Sequence, residues 1–250
     1  MRRALAGLAV LAFVLPLRAD LGAPPEVPYE NTPYNGKFSF VRLKFRPSMW
    51  GPGNYQWGLD LKWNHDYPRG ETHFAKILEE TTSIETNAGG NIIGLDDPEL
   101  FKYPVAYMCE LGYWTLQGKE AENLRAYLQK GGFLILDDFV QRDMMNLEIQ
   151  MQQVLPEARF IEVPKNHGVW DSFFKIEEPP QFHPLRNFLR TSYLGIFEDN
   201  DPQKRLLVMV NYNNDIGEYW EFSDTGFLPI DLSNEAYKLG VNYVIYAMTH

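Results

Sequence analysis

The chain has 250 residues, 45% of them apolar and 14% aromatic, enough for one ordinary hydrophobic core and too apolar for a disordered or fibrous chain. Its 23 Lys and Arg stand against 33 Asp and Glu, a formal charge of -10. A surface of that sign repels phosphate backbones, so no nucleic-acid partner is expected.

Met1 to Ala19 carries Arg2 and Arg3 and then an apolar run from Ala4 to Leu17 broken only by Gly7 and Pro16. That is the pattern of a secretory signal peptide, with cleavage after Ala19 or after Ala23 and an uncleaved anchor as the alternative. The run falls short of the ~20 residues that span a bilayer, and no later segment approaches that length, so no further transmembrane segment is expected. The mature chain is therefore expected to be exported, either periplasmic or secreted. Cutting away residues 1–19 removes Arg2, Arg3 and Arg18 and no acid, which leaves the exported chain more acidic still. Cys109 is the only cysteine; it allows neither an internal disulfide nor a lipid anchor near the cut.

Residues 20–36, with four prolines, read as an exposed tether, and a single domain is expected over 37–250. Within it, FSFVRLKF (38–45), VAYMC (105–109), FLIL (133–136), FIEV (160–163), YLGIF (193–197) and LLVMVNY (206–212) read as strands. Several are apolar on both faces, as parallel strands covered by helices are. Between them, helical spacing of apolar residues predicts helices over 71–82, 116–130, 142–155 and 233–248, with Thr115 as N-cap of the second and Gly131-Gly132 closing it. Asp96-Asp97-Pro98-Glu99 reads as a helix start with proline at its first position. Strand alternating with helix predicts a three-layer α/β/α sandwich with a mainly parallel sheet.

The segment LDDPELFKYPVAYMCELGYWTLQGKEAENLRAYLQKGGFLILDDF, residues 95–139, combines a DPEL turn, YP before a strand, and a helix running into a GGF-led strand that ends in DD. It resembles the bacterial domain of unknown function 4159 family, and the likeness extends over residues 37–250 through WNHDYPRGETHFAKIL, NHGVWDSFF, NYNNDIGEYWEF and LGVNYVIYAM. The resemblance implies a class I glutamine amidotransferase-like, flavodoxin-like fold and no particular activity. In amidotransferases a nucleophilic cysteine occupies a sharp strand-to-helix turn. The matching turn here is read as Asp137-Asp138-Phe139-Val140, which carries no thiol or hydroxyl, and no G-x-S-x-G occurs in the chain. Amidotransferase chemistry is therefore not expected.

Ligands of open parallel sheets gather beyond the carboxyl ends of the strands. Asp137 and Asp138 at such an end could act as a general base, hold a cation or a sugar hydroxyl, or cap the helix starting near Arg142. Together with His167 in NHGVWDSFF they form the candidate catalytic set. Glu110, Trp170 and Asn214 follow other strands, and Arg42, in the first, needs an acid if its face is buried. The loop 46–70 is long for a strand-to-helix connection and rich in aromatics, among them Trp50, Tyr55, Trp57, Trp63 and Tyr67. Long aromatic loops serve as lids or pack as satellite cores. Trp63, Asp66 and Tyr67 complete the candidate binding set. His65 and His73 lack tight ligand spacing, and Glu198–Pro202 lacks the glycine and closing Glu of a calcium loop, so no metal is assigned. No cofactor is assigned either. The expected function is a nucleophile-less binding site for a glycan, peptide or protein partner in the cell envelope. The alternatives are a hydrolase using an Asp/His pair on a glycan or amide, and a purely structural envelope component.

Overall fold

The computed structural model describes residues 29–48, 60–186 and 188–250. The expected signal peptide, most of the tether, and Trp50, Tyr55 and Trp57 lie outside the described residues. In chain order the elements are β1 (Phe38–Lys44), β2 (Arg46–Pro47), α1 (Arg69–Thr81), β3 (Thr86–Gly94), β4 (Val105–Met108), β5 (Trp114–Thr115) and α2 (Glu120–Gln129). They continue with β6 (Phe133–Leu136), α3 (Asp143–Val154), β7 (Ile161–Glu162), β8 (Ser192–Phe197), β9 (Leu206–Tyr212), α4 (Ile216–Glu221) and α5 (Ile230–Thr249).

Seven strands form one sheet in the order β3-β1-β4-β6-β9-β8-β7. The pairs from β3 to β9 are parallel, and β8 runs antiparallel to both β9 and β7. Period-two alternation sends Phe40, Val105 and Tyr107 to the face covered by α1, α4 and α5. It sends Leu43, Ala106 and Met108 to the face covered by α2 and α3. Both faces are thus apolar, and the chain is an α/β sandwich around a mostly parallel sheet.

Two elements have no clear signal in the sequence. In β3, TNAGGNIIG, three glycines and two asparagines mask a strand; a Cβ at Gly90 would sit 2.6 Å from Cγ of Glu71, so the close approach of α1 dictates glycine there. The short α4 has too few residues to display a period and is set by its cap, where Asp215 Oδ1 accepts from the Glu218 amide at 2.9 Å. Thr115 does not cap α2. It lies in β5 with its hydroxyl on Arg46 O at 2.7 Å, and α2 begins after Lys119. The end of the expected tether belongs to the domain. The Asn31 side chain bonds both the carbonyl and the amide of Ile92, each at 2.8 Å, and Thr32 exchanges two bonds with Asn91, covering the edge of β3. Asp97 caps a one-turn helix over Pro98–Lys102, as its sequence predicts.

Candidate functional site: an acidic centre at the strand ends

From β1 the chain crosses to β3 on one side, and from β4 it crosses to β6 on the other. The crevice between the carboxyl ends of β1 and β4 is therefore the topological switch point of the sheet. Around it stand Glu110 after β4, Asp138 after β6, Asp215 after β9, and His65 and Asp66 from the loop after β1, while Cys109 and Asp137, their neighbours in the chain, are buried beneath. Several of these sit on constrained backbone: Asp66, Glu110 and Asp138 have φ of 65°, 52° and 47°, in the left-handed region, as has Asn213, two residues before Asp215, at 57°. Such conformations cost of order 1 kcal/mol or more and concentrate at functional sites.

The two adjacent aspartates have different surroundings. Asp137 is fully buried and accepts four hydrogen bonds: Oδ2 from Tyr107 Oη at 2.9 Å, from the Ile216 amide at 2.9 Å and from the Gly217 amide at 3.0 Å, and Oδ1 from Asn211 Nδ2 at 2.9 Å. Asn211 is in turn held by Tyr243 Oη at 2.9 Å. Burial lifts the Asp137 pKa to about 6, against the pull of these donors. The expectation that Asp137 or Asp138 caps the helix near Arg142 is not met. No side chain caps α3, the Val140 amide turns to Asp143 instead, and Asp137 satisfies the start of α4. Asp138, displaced by its left-handed turn, faces the crevice.

There Asp138 meets His65. The imidazole Nδ1 lies 3.0 Å from Glu110 Oε1 and 3.6 Å from Asp138 Oδ2, and Nε2 lies 3.0 Å from Asp60 Oδ1. Burial opposes charge on the ring, but the bonds to Asp138 and Glu110 prevail and raise its pKa to about 11. Lys62 completes this rim, 2.5 Å from Asp60 and 3.8 Å from Glu110. Behind the rim lie Asp66 and Asp215, both buried. Burial, then the Asp138 charge, pushes each well above the ordinary carboxylate range. Glu110 is raised by burial too, with His65 pulling it back. Among the described residues, carboxylate oxygens of Asp66, Asp138 and Asp215 lie within 4.8 Å of one another, and so do ligand atoms of His65, Glu110 and Asp138. Asp138 belongs to both groups.

Arg42, 1% exposed, lies below this centre. It pairs with Glu71 of α1, donates to Trp63 O at 3.1 Å and to Cys109 Sγ at 3.0 Å, and stacks over the Tyr107 ring. The acid that sequence reasoning demanded for Arg42 is thus Glu71, with Asp66 nearby. Cys109 is buried, its thiol pushed up by burial and turned to backbone carbonyls.

Other predicted residues are placed elsewhere. His167 is not at the crevice. Its Nδ1 accepts from the Val169 amide at 3.2 Å, and its ring packs on Phe197 and Tyr246, beside the β8–β9 hairpin at the opposite edge of the sheet. The reason is that the chain doubles back after β7 and runs down the helical face. Trp170 is core, its indole on Pro164 O and its ring against Tyr193. Trp63 and Tyr67 pack around Tyr29 at the margin of the core covered by α2 and α3, rather than as a lid or a separate satellite core, and it is the Trp63 backbone carbonyl that meets Arg42. Asn214 is buried in a turn, bonded to Tyr193 Oη at 3.3 Å and to the Asp215 amide at 2.9 Å. His73 bonds Trp220 O and has no role beside His65. Sequence reasoning weighed His65 only as a partner of His73 and gave Asp215 no role; the signals were the His65-Asp66 pair in the long loop and the Asn213-Asn214-Asp215 run at a strand end.

The model of the family described as domain of unknown function DUF4159 matches residues 51–248. No curated protein matches the chain.

Proposed function

The chain belongs to the DUF4159 family, and from that premise we propose that it is an exported envelope domain that binds a positively charged ligand at the acidic centre of its sheet. The observation that carries this reading is Asp66. It is 8% exposed, its Oδ2 has no hydrogen-bond partner, and it stands in a group with Asp138 and Asp215. A buried carboxylate oxygen without a donor is costly, and a cationic ligand removes the cost. Arg42, the nearest buried cation, is spent on Glu71, Trp63 and Cys109.

An amidotransferase-like ancestry fits this reading. The five parallel strands in chain order, β1, β3, β4, β6 and β9, lie in the sequence 2-1-3-4-5, the order of flavodoxin-like sheets. The sole thiol is buried away from the crevice, which supports a site that has kept the location and lost the nucleophile. A hydrolase built on an Asp/His pair is less well supported. His65 replaces His167 as the partner of Asp138, yet both ring nitrogens face carboxylates, and an imidazole held protonated is no base. Export rests on the features of residues 1–19.

A thermal-shift panel on the mature protein tests the ligand class. Divalent cations and ligands bearing ammonium groups, such as muropeptides with free amines, should raise Tm, and neutral glycans and nucleotides should not. Stabilisation by neutral or anionic ligands alone would overturn the reading.

A further inference from the structure

Resting on that reading, we propose that Asp66, Asp138 and Asp215 form a binding site for a hard divalent cation, Ca²⁺ above all. The donors are all carboxylate oxygens, which select Ca²⁺, Mg²⁺ or Mn²⁺ over softer ions. One oxygen from each residue lies within 4.8 Å of the others. Three protein carboxylates at one point suit Ca²⁺, which accepts many oxygen ligands in flexible geometry, better than Mg²⁺, which keeps several waters and is held through one or two carboxylates.

Three further observations favour this group over its neighbours. The unpartnered, buried Oδ2 of Asp66 is independent of the clustering. A Cβ at Gly217 would sit 2.5 Å from that oxygen, so glycine keeps the approach to Asp66 open at the first turn of α4. The adjoining group of His65, Glu110 and Asp138 already contains its counter-charges, His65 within the group and Lys62 beside it. Among the described residues no Lys or Arg lies within 4.0 Å of Asp66 or Asp215. Asp137 adds negative charge from behind, but its oxygens are committed to four donors and do not compete for the ion. Asp138 is the one ligand of the group within reach of His65, 3.6 Å away.

A third group, Asp66 with Glu218 and Glu221, shares only Asp66, which makes the assignment testable. The full mature chain is stripped with EDTA, desalted, and titrated with CaCl2, MgCl2 and MnCl2 by isothermal calorimetry, with Tm measured in parallel. Ca²⁺ should bind at one equivalent and raise Tm, more tightly than Mg²⁺. Asp66→Asn and Asp215→Asn should each weaken Ca²⁺ at least tenfold. Both remove like-charge repulsion, so their metal-free Tm should equal or exceed that of the parent, which separates lost binding from lost folding. Glu221→Gln should bind as the parent does. The assignment is overturned if Ca²⁺ neither binds nor shifts Tm, if Asp215→Asn keeps full affinity, or if Glu221→Gln abolishes binding. If the parent responds to ammonium ligands but to no metal ion, the cation site fails and the broader reading stands; if it responds to neither, both fail.

Discussion

Replacing Arg42 by Met tests the joint that holds the candidate site to the sheet. Arg42 and Glu71 have side chains 2% and 0% exposed, so the pair is fully withdrawn from water. Removing one member of such a pair leaves an uncompensated buried charge and costs about 3–5 kcal/mol. Trp63 O also loses the guanidinium donor at 3.1 Å, although the Cys109 thiol at 3.4 Å still reaches it. Arg42→Met should therefore lose about 4 kcal/mol, a large share of the ~5–15 kcal/mol of a typical domain. The double variant R42M/E71M removes both charges and substitutes side chains of similar length. Apolar replacement of a whole buried pair is often neutral or better, so it should recover to within about 2 kcal/mol of the parent. Equilibrium urea unfolding with an unchanged m-value reads both numbers. Two outcomes would refute the reasoning: a loss below about 1 kcal/mol in Arg42→Met, or a double variant as unstable as the two single losses added. The loop bearing His65 and Asp66 should also open more often in Arg42→Met, seen as faster amide exchange at residues 60–66, because Trp63 O keeps only the weaker thiol donor.

Asp137→Ala leaves four buried donors unpaired at about 1–3 kcal/mol each, so it should lose cooperative unfolding, whereas Asp137→Asn keeps an acceptor oxygen and should cost about 1–2 kcal/mol; equal, small losses would show that the network is dispensable. Cys109→Ala should stay folded and keep every ligand response, and native Cys109 should resist alkylation until the chain is unfolded; rapid labelling of the folded protein would contradict its burial. His183 has its pKa lowered to about 4 by burial, and its Nδ1 accepts from the Leu185 amide at 3.1 Å. A lowered histidine supplies stability that is full above pH ~6.5 and is lost as pH falls through about 4, so the Tm of His183→Gln should fall less steeply over that window; parallel curves would rule this out. N-terminal sequencing of exported protein should find a start at Asp20, or at Pro24 if the cut follows Ala23, in the soluble fraction; intact Met1 in membranes would favour the anchor.

The sheet was legible because its strands are continuous apolar runs with no other way to bury both faces, and the helices between them show the period of one covered side. FLIL and LLVMVNY needed no tertiary information. The location of the site followed from the same logic, since parallel strands force their following loops to one edge, and Glu110 and Asp138 lie where that rule puts them. Partnership was not legible. His65 and His167 are both loop histidines beside apolar segments, and only the path of the chain after β7 carries one to the opposite edge while the loop after β1 brings the other to Asp138. The roles of Asp137 and Asp138 were equally hidden, because one left-handed residue decides which carboxylate enters the crevice and which seals α4. Glycine-rich β3 and the short α4 escaped for a related reason: their conformation is imposed by Glu71, β1 and Asp137 across long sequence separations. Local sequence therefore determined the elements and the edge at which chemistry gathers. Side-chain pairing within that edge is a property of long-range packing, which no local pattern encodes.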